Sequence, residues 1–231
     1  MHIHSCLSPC GDDDMTPANI VGMAKLKELD VIAVTDHNSC RNCLAVLELA
    51  KEAGIVALCG MELTTQEEVH VICLFAKLED ALSWSDYVYD RLIPILNNEE
   101  IFGHQWQMDR EETIVYSEPK LLINATTISF DQVYDLVTSF HGIMIPAHID
   151  KNSNSLLSNL GFIPEDSKFT CVEIKDLEML HKLKISNPYL RQCNIISNSD
   201  AHSLCNINEA VHSIYARSKN SEDILQALKG M

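Results

Sequence analysis

Short apolar runs alternate along the chain with longer segments in which apolar residues recur at helical spacing. Residues 31–35 form an apolar run rich in β-branched side chains, which is typical of a strand covered on both faces. Before this run, Thr16 and Pro17 have the residue types of a helix N-cap and first turn, so we predict a helix from there to about Leu29. A second helix is predicted from about residue 43 to residue 53, where Gly54 would end it.

The alternation of strand-like and helix-like segments continues towards the C-terminus. Further helices are predicted at residues 129–140 and 221–228. The remaining strand-like runs cover residues 55–58, 69–75, 143–146, 171–174, 195–197 and 213–215. Such alternation predicts parallel strands joined by right-handed crossovers, in an open doubly wound sheet or in a closed barrel. We favour the barrel, because polar residues follow nearly every strand and the C-terminal ends of strands converge only when the sheet closes.

Residues 77–128 interrupt this alternation. They are predicted to contain a long helix over about residues 78–97, followed by a polar and irregular stretch that includes residues 109–112. No linker rich in glycine, serine or proline flanks the segment. We therefore predict a single domain over residues 1–231, with an insertion at about 77–128 that packs on the barrel.

Composition narrows the classes of function. The formal net charge of −16 over 231 residues disfavours extended binding to a phosphate backbone, so it argues against long nucleic acid as a partner. The same acidity is compatible with a pocket that concentrates divalent cations and with a small phosphorylated substrate. The chain shows no secretory signal and no apolar run of about 18–20 residues, and its nine cysteines are an odd number. We therefore expect a cytoplasmic protein with free thiols and no membrane partner.

Histidines and carboxylates stand at the predicted strand ends, where buried polar groups are costly unless they bind a metal or each other. His2 and His4 are two positions apart, so on a strand both side chains point to one face and can chelate one ion. Asp200 and His202 have the same spacing towards the other end of the chain. The polar residues at the intervening strand ends are Asp36, His37, Glu62, His70 and His148. Each has an ordinary alternative as an exposed or structural residue, but together they predict a polynuclear metal centre and hydrolytic chemistry.

These residues fall into successive motifs that resemble those of the PHP (polymerase and histidinol phosphatase) superfamily. The matching motifs are His2-x-His4, Thr35-Asp36-His37, Gly60-x-Glu62, His70, Ala147-His148 and Ser199-Asp200-Ala201-His202. The resemblance implies an α/β fold, namely a distorted seven-stranded β/α barrel with the metal site at the C-terminal ends of the strands. It also implies two or three divalent ions, and imidazole and carboxylate ligands leave zinc, manganese and iron open as their identity.

The resemblance further implies which residues bind the first two ions. The first ion would be bound by His2, His4, Glu62 and Asp200. Glu62 would bridge to a second ion, and His70 and His148 would complete that second site.

The third ion would be bound by His37 and His202, with a further ligand from the loop after His4. Counting back from the Thr-Pro pair selects Asp12 for that role, and Asp13 and Asp14 are alternatives. Cys6 and Cys10 also lie close to the proposed metals, where adventitious ligation is a secondary interpretation. For Asp36 we favour orientation of a ligating histidine or of a bound water over direct ligation.

Two features depart from the family pattern. Members usually have several residues before the first histidine, and these form the first barrel strand, whereas only Met1 precedes His2 here. This indicates either a shortened sequence or a very short first strand. Residues 77–128 match the family weakly and therefore say little about the substrate.

The expected activity is that of a metal-dependent phosphoesterase acting on a small phosphorylated metabolite or nucleotide. A hydroxide shared by two ions would attack phosphorus in line, with Glu62, Asp200 and His202 as the catalytic residues. Lys151, three residues after His148, is predicted to contact the phosphate, with a solvent-facing lysine as the alternative. Two other classes stay open, a metal-dependent amidohydrolase or deaminase and a non-catalytic metal-binding domain.

Overall fold

The computed structural model describes residues 1–230 of the chain, in which short strands and helices follow one another. The strands are β1 (Val31–Val34), β2 (Val56–Thr64), β3 (His70–Phe75), β4 (Trp106–Met108), β5 (Ile114–Ser117), β6 (Ile143–Pro146), β7 (Cys171–Glu173) and β8 (Asn194–Ile196). The α-helices are α1 (Pro17–Leu26), α2 (Cys43–Ala53), α3 (Leu78–Tyr89), α4 (Glu99–Phe102), α5 (Phe130–Ser139), α6 (Leu156–Asn159), α7 (Leu180–Ser186) and α8 (Ser221–Lys229). Short 3-10 turns cover Leu177–Met179, Pro188–Arg191 and Leu204–Asn206. None of the helices within residues 1–230 has both the length and the apolar character needed to cross a membrane.

The first two helices begin where the sequence predicts, and α2 also ends there, whereas α1 ends at Leu26 instead of the predicted Leu29. Thr16 Oγ1 accepts a hydrogen bond from the Asn19 backbone N at 3.2 Å, and Pro17 is the first residue of α1. Gly54 ends α2 in a left-handed conformation with φ of 76°. The two helices share a buried apolar cluster with β1, in which Ile20 of α1 and Val46 of α2 take part. This packing holds the turn after β1, from which two of the predicted site residues project.

The largest sheet contains β1, β2, β3 and β6 in that order. β1 and β2 are parallel, whereas β3 is antiparallel to both of its neighbours, β2 and β6. The loop between β2 and β3 covers only residues 65–69. Because a parallel connection needs a crossover of about a dozen residues or more, β2 and β3 can only form a hairpin. The prediction of uniformly parallel strands is therefore wrong at the centre of this mixed α/β fold.

The predicted seven-stranded barrel is not confirmed. Besides the four-stranded sheet, residues 1–230 contain two separate two-stranded sheets, β4 with β5 and β7 with β8. Single contacts join the sheets at their ends: Ile3 bridges to Val34 and Ala201, and Ile149 N donates to Glu173 O at 3.0 Å. With so few residues in each strand, these contacts do not extend into ladders, and the described residues form no continuous closed barrel. The segment predicted as a strand at residues 213–215 is irregular.

Residues 77–128 contain α3, α4 and the hairpin of β4 with β5. Hydrogen bonds attach this segment to the loops that carry the candidate ligands. Asn38 Nδ2 donates to Leu122 O at 2.7 Å, and Trp106 N donates to Cys6 O at 2.9 Å. The segment therefore lies over the same end of the sheet as the predicted metal site.

Candidate metal centre

The N-terminal histidine pair is buried at the junction between sheets. Ile3 bridges to the neighbouring strand segments, so His2 and His4 on either side of it point to one face. Both residues are fully buried, and their Nε2 atoms are 3.3 Å apart. The structure therefore brings this pair together in the way that its two-residue spacing predicts.

Glu62 on β2 lies at the centre of the histidines. Three imidazole nitrogens approach its Oε1: His70 Nδ1 at 3.0 Å, His148 Nε2 at 3.1 Å and His2 Nε2 at 3.3 Å. Two more approach its Oε2: His4 Nε2 at 3.2 Å and His37 Nδ1 at 3.3 Å. A single buried carboxylate thus gathers side chains from separate parts of the chain.

The position of Glu62 depends on Gly60, two residues earlier on the same strand. A Cβ atom at Gly60 would lie 2.6 Å from Thr35 Cγ2 and 2.8 Å from Leu74 Cδ2. Because glycine has no Cβ, β2 can lie this close to the end of β1 and to β3. Glycine at this position therefore sets how near Glu62 comes to the histidines.

Asp200 and Lys151 lie at the edge of the cluster. Asp200 Oδ1 is 3.4 Å from the Nε2 atoms of both His2 and His4, and its Oδ2 accepts a hydrogen bond from Lys151 Nζ at 2.6 Å. Asp200 has a positive φ of 52°, and so does His148 with 29°. Backbone strain of this kind persists where the surrounding structure holds a residue in place, and it is concentrated at functional sites.

Glu173 is a buried residue of this centre that the sequence reasoning missed. Its Oε2 accepts a hydrogen bond from His2 Nδ1 at 2.9 Å and one from His148 N at 3.0 Å. Its Oε1 accepts a hydrogen bond from Asn198 Nδ2 at 2.7 Å. Glu173 is the last residue of β7, so the strand-end signal that selected Glu62 could also have found it.

Asp36 is linked to His4 through a hydrogen-bond network, and its orienting role stays a prediction. Its carboxylate accepts hydrogen bonds from Ser5 N and Ser5 Oγ at 2.6 Å each, and from Ser8 Oγ at 2.7 Å. The hydroxyl oxygen of Ser8 accepts in turn from His4 Nδ1 at 3.0 Å and from His37 N at 3.1 Å. This network places the Nδ1 proton of His4 on the side away from Glu62.

These contacts test whether the donor set fits a metal. With Nδ1–H of His2 and His4 donating outward, the lone pair of each Nε2 in the neutral ring faces the oxygens of Glu62 and Asp200. His37 Nδ1 is buried 3.3 Å from Glu62 Oε2 and makes no hydrogen bond. A cation between buried imidazole nitrogens and carboxylate oxygens satisfies the lone pairs of both. Imidazole and carboxylate groups are the usual ligands of zinc and of transition metals such as iron and manganese. The residues therefore fit divalent ions.

The ligand-type atoms form three overlapping groups within residues 1–230, and in each group all atoms lie within 4.8 Å of one another. One group contains His2, His4, Glu62 and Asp200; another contains His37, Glu62 and His70; the third contains His4, Cys10, His37 and His202. His148 adjoins the second group through its contact with Glu62.

The loop after His4 contributes Cys10 to the third group, whereas Asp12 lies outside all three groups. The side chains of Asp12, Asp13 and Asp14 are exposed. Asp13 accepts a hydrogen bond from His104 Nδ1 at 3.0 Å, on the outside of the loop. Ligation by Asp12 stays a prediction from the sequence, and the geometry places a thiol closer to the histidines.

Burial and mutual contact perturb the charges of the centre. Burial alone would raise the pKa of Glu62, but the adjacent histidines, His70 and His2 first, lower it well below its usual range. Burial alone would lower the pKa of His2, but Glu173 and Glu62 outweigh it and raise that pKa well above its usual range. For His37 burial prevails and lowers the pKa well below the usual value. These directions favour the carboxylate form of Glu62 and the neutral form of His37, which are the forms that bind cations. They favour a protonated His2, which must release its Nε2 proton before that nitrogen can bind a metal.

Solved structures with the same fold include a nuclease and a phosphoesterase candidate. Endonuclease Q from Pyrococcus furiosus matches with a TM-score of 0.68 and 19% sequence identity, and the match covers 100% of this chain and 55% of that chain. A complex of Endonuclease Q with a 27-mer duplex substrate, with an abasic lesion at the active site, matches with a TM-score of 0.68 and 18% identity over 100% of this chain and 56% of that chain. A candidate metal-dependent phosphoesterase from Bifidobacterium adolescentis matches with a TM-score of 0.62 and 16% identity, over 98% of this chain and 93% of that chain.

The bound duplex corrects our argument from net charge against long nucleic acid. A protein with this fold holds duplex DNA at its active site, so the charge of −16 is no ground for excluding such a partner. The argument was wrong because charges of the whole chain are screened beyond about 8 Å at physiological ionic strength. Cations held at a site are the largest local charges, and they decide the potential that an approaching phosphate meets.

Sequence comparisons place the chain in a family. An uncharacterised protein of Methanocaldococcus jannaschii is 36% identical over 75 residues, which are 29% of this chain and 44% of that protein. The chain thus spans less than half of this relative and about half of Endonuclease Q. The family model of the PHP domain matches residues 1–175 of the 231, a range that includes the N-terminal histidine pair, Glu62 and Glu173. With three quarters of its length matched in this way, the chain belongs to the PHP domain family.

Proposed function

We propose that this protein is a metal-dependent phosphoesterase whose reaction centre is the cluster around Glu62. The observation that carries the proposal is the convergence of five histidines on one buried carboxylate, with Asp200 beside them. Nitrogen and oxygen donors so close together, with lone pairs facing inward, are the arrangement that a polynuclear divalent centre requires.

The ligands would divide into sites that share Glu62. His2, His4, Glu62 and Asp200 would hold one ion, and Glu62 would share a second with His70 and His148. His37 and His202 would hold a third. Bound zinc, manganese or iron ions would supply a water of lowered pKa and positive charge for the phosphoryl oxygens.

Residues around the ligands hold them in the orientation that this chemistry needs. Glu173 fixes the ring of His2 and the backbone of His148, and the Asp36–Ser8 pair fixes His4. Because these hydrogen bonds fix the rings, the Nε2 atoms of His2 and His4 keep their direction whether or not a substrate is bound.

A phosphate group would enter at the edge formed by Lys151 and His202. Each of these side chains is about one third exposed, 36% for Lys151 and 33% for His202, whereas Glu62 and His4 are buried. Lys151 Nζ already contacts an oxyanion, the Asp200 carboxylate, at 2.6 Å, and Lys175 Nζ lies 4.0 Å from the same oxygen. We infer that Lys151 contacts non-bridging phosphate oxygens, and that Asp200 and His202 lie next to the reacting group.

Two classes of phosphate ester are candidates for the substrate. A small phosphorylated metabolite or nucleotide is the first candidate, because the bound ions would supply the positive charge that its phosphate group meets. A DNA phosphodiester near a lesion is the second candidate, and the likeness to Endonuclease Q over the whole of this chain favours it.

The proposal is tested with metal-depleted protein that is reloaded separately with Zn²⁺, Mn²⁺ or Fe²⁺. Each form is assayed on phosphate monoesters, on a phosphate diester, on duplex DNA with an abasic site, and on amides and nucleobases. We expect hydrolysis of at least one phosphate ester, lost in Glu62→Gln and kept in the exposed control Glu100→Gln. Hydrolysis of amides or nucleobases alone, or activity that survives Glu62→Gln, would reject a phosphoesterase centred on Glu62.

A further inference from the structure

Cys10 is a thiol placed among histidines at the third group of ligand-type atoms. Its sulfur and one ring nitrogen each of His4, His37 and His202 all lie within 4.8 Å of one another. Imidazole nitrogen and thiolate sulfur are both zinc ligands, with Zn–S of about 2.3 Å and Zn–N of about 2.0–2.1 Å.

The loop that carries Cys10 is held by backbone hydrogen bonds on both sides of it. Ser8 N donates to Ser5 O at 3.0 Å, and Gly11 N donates to Ser8 O at 2.9 Å. The next residue, Asp12, donates its N to His202 O at 2.9 Å, which ties the loop directly to one of the histidines. A Cβ at Gly11 would lie 2.6 Å from Ser5 O, so the turn is as tight as a glycine allows. The position of Cys10 is therefore built into the loop.

The other thiol of this loop points elsewhere. Cys6 is buried, and its Sγ lies 3.7 Å from Trp106 O and 3.4 Å from Met108 Sδ, on the side of the insertion. Cys10 is the cysteine that the structure groups with histidines, and it is exposed at the mouth of the centre.

His4 and His37 differ in how far they are committed to other atoms. His4 Nε2 is 3.2 Å from Glu62 and 3.4 Å from Asp200, which places it in the first ligand set. His37 is also buried; its Nδ1 lies 3.3 Å from Glu62 Oε2 without making a hydrogen bond, and the residue belongs to both the second and the third group. Cys10, His37 and His202 then form a three-residue set that leaves one position open, as catalytic zinc sites do.

We infer that Cys10 binds as a thiolate, together with His37 and His202, to the third ion of this centre and makes that site selective for zinc over manganese or magnesium. The inference rests on the proposed function for the existence of the centre, and it replaces the expected carboxylate by sulfur. On binding, the thiol proton of Cys10 passes to solvent and the sulfur lone pair goes to the metal. Thiolate is a soft ligand that favours zinc, whereas manganese and magnesium favour oxygen ligands.

Cobalt(II) is the probe, because it enters zinc-type sites and reports on sulfur ligation. Metal-depleted protein titrated with Co²⁺ should develop visible ligand-field bands together with a near-ultraviolet sulfur-to-cobalt charge-transfer band. We expect Cys10→Ser and Cys10→Asp to lose the charge-transfer band and keep the ligand-field bands of the other sites. Cys205→Ser is the matched control, since Cys205 is exposed and lies outside the three groups, and it should keep both.

Alkylation with iodoacetamide, mapped by mass spectrometry, gives an independent measurement. Burial, and next to it the charge of Glu62, raises the pKa of Cys10, so in the metal-free protein Cys10 should react with iodoacetamide more slowly than the exposed Cys205. Zn²⁺ should suppress the reaction of Cys10 and leave that of Cys205 unchanged, whereas Mn²⁺ should change neither rate. Ligand-field bands without a charge-transfer band in the unchanged protein, or a band that survives Cys10→Ser, would overturn the thiolate and leave the proposed function standing. Failure to bind cobalt at all would reject both.

Discussion

Replacement of Glu173 by glutamine should weaken metal binding at the first site without touching a ligand. The carboxylate accepts hydrogen bonds from His2 Nδ1, His148 N and Asn198 Nδ2 at 2.9, 3.0 and 2.7 Å. Glutamine keeps the shape but has a single acceptor oxygen, so one of these buried donors would face an NH2 group. The loss of a charge-assisted hydrogen bond costs about 1.5–3 kcal/mol, and an unsatisfied buried donor costs about 1–3 kcal/mol.

The expected effect on metal affinity follows from the role of Glu173 in holding His2. Loss of an outer-shell partner of a ligating histidine lowers metal affinity by about 10–100-fold, equivalent to about 1.4–2.8 kcal/mol. Burial lowers the pKa of His2, whereas Glu173 and Glu62 raise it above the usual value. Removing the Glu173 charge lowers the pKa of His2, so protons compete less with the metal for this ring in the variant than in the unchanged protein. This gain partly offsets the loss of metal affinity at low pH. At high pH His2 is neutral in both proteins, so the loss of affinity should be greatest there.

Zinc affinity is measured by competition with a chromophoric chelator at two pH values, with Glu178→Gln as the control because Glu178 is exposed. In the metal-free protein, Glu173→Gln should also lower the unfolding temperature, by roughly 6–12 °C if the free energy of unfolding falls by about 3 kcal/mol. Equal zinc affinity of Glu173→Gln and the unchanged protein at both pH values would refute the orienting role of Glu173.

Three further perturbations test other parts of the site. Lys151→Ala should lower kcat/KM for the hydrolysed ester by about 10–100-fold, which corresponds to the loss of one charge-assisted hydrogen bond. The control Lys182→Ala, on the exposed face of α7, should leave kcat/KM unchanged. Equal losses in the two variants would argue against a phosphate contact by Lys151. Gly60→Ala forces a Cβ to within 2.6 Å of Thr35 Cγ2. It should lower the free energy of unfolding, measured with denaturant, by about 1–3 kcal/mol, and it should also lower the metal affinity. Gly22→Ala in α1 meets nothing within 4 Å and should instead stabilise by about 0.5–1 kcal/mol, so similar effects of the two changes would contradict the packing argument. Removal of metal by a chelator should lower the unfolding temperature by roughly 8–16 °C, since saturation at about 1,000 Kd contributes about 4 kcal/mol, and an unchanged temperature would contradict ligation by the buried cluster.

The residues that converge at the centre could be found in the sequence because polar side chains at the ends of apolar strands are rare and costly. His2, His4, Glu62 and Asp200 stand at such positions and come together. Glu173 ends β7 by the same rule, but a lone glutamate after only two apolar residues is a weak signal beside a histidine pair.

Some features that the prediction missed carry a local signal in the sequence, whereas others depend on contacts between distant segments. The helix predicted over about residues 78–97 was too long: α3 ends at Tyr89, and Pro94 is a local signal against continuing a helix as far as residue 97. The hairpin of β2 and β3 could have been predicted from the short loop at residues 65–69, whereas closure of the sheet depends on single bridges that no periodicity reports. The proximity of Cys10 to the histidines comes from the fold of an irregular loop, and irregular loops carry no repeating pattern.

The hydrogen bond from Ser199 Oγ to His2 O, 3.1 Å long, joins residues 197 positions apart, and the candidate ligands lie on either side of it. An ion held between these two segments would act on the polypeptide as a reversible cross-link between positions 197 residues apart. Chain-entropy arguments assign about 4.7 kcal/mol to closing a loop of about 100 residues, and each doubling adds only about 0.6 kcal/mol. Metal loading would therefore slow global unfolding and protect the enclosed residues against proteases, and chelation would release the two segments from each other.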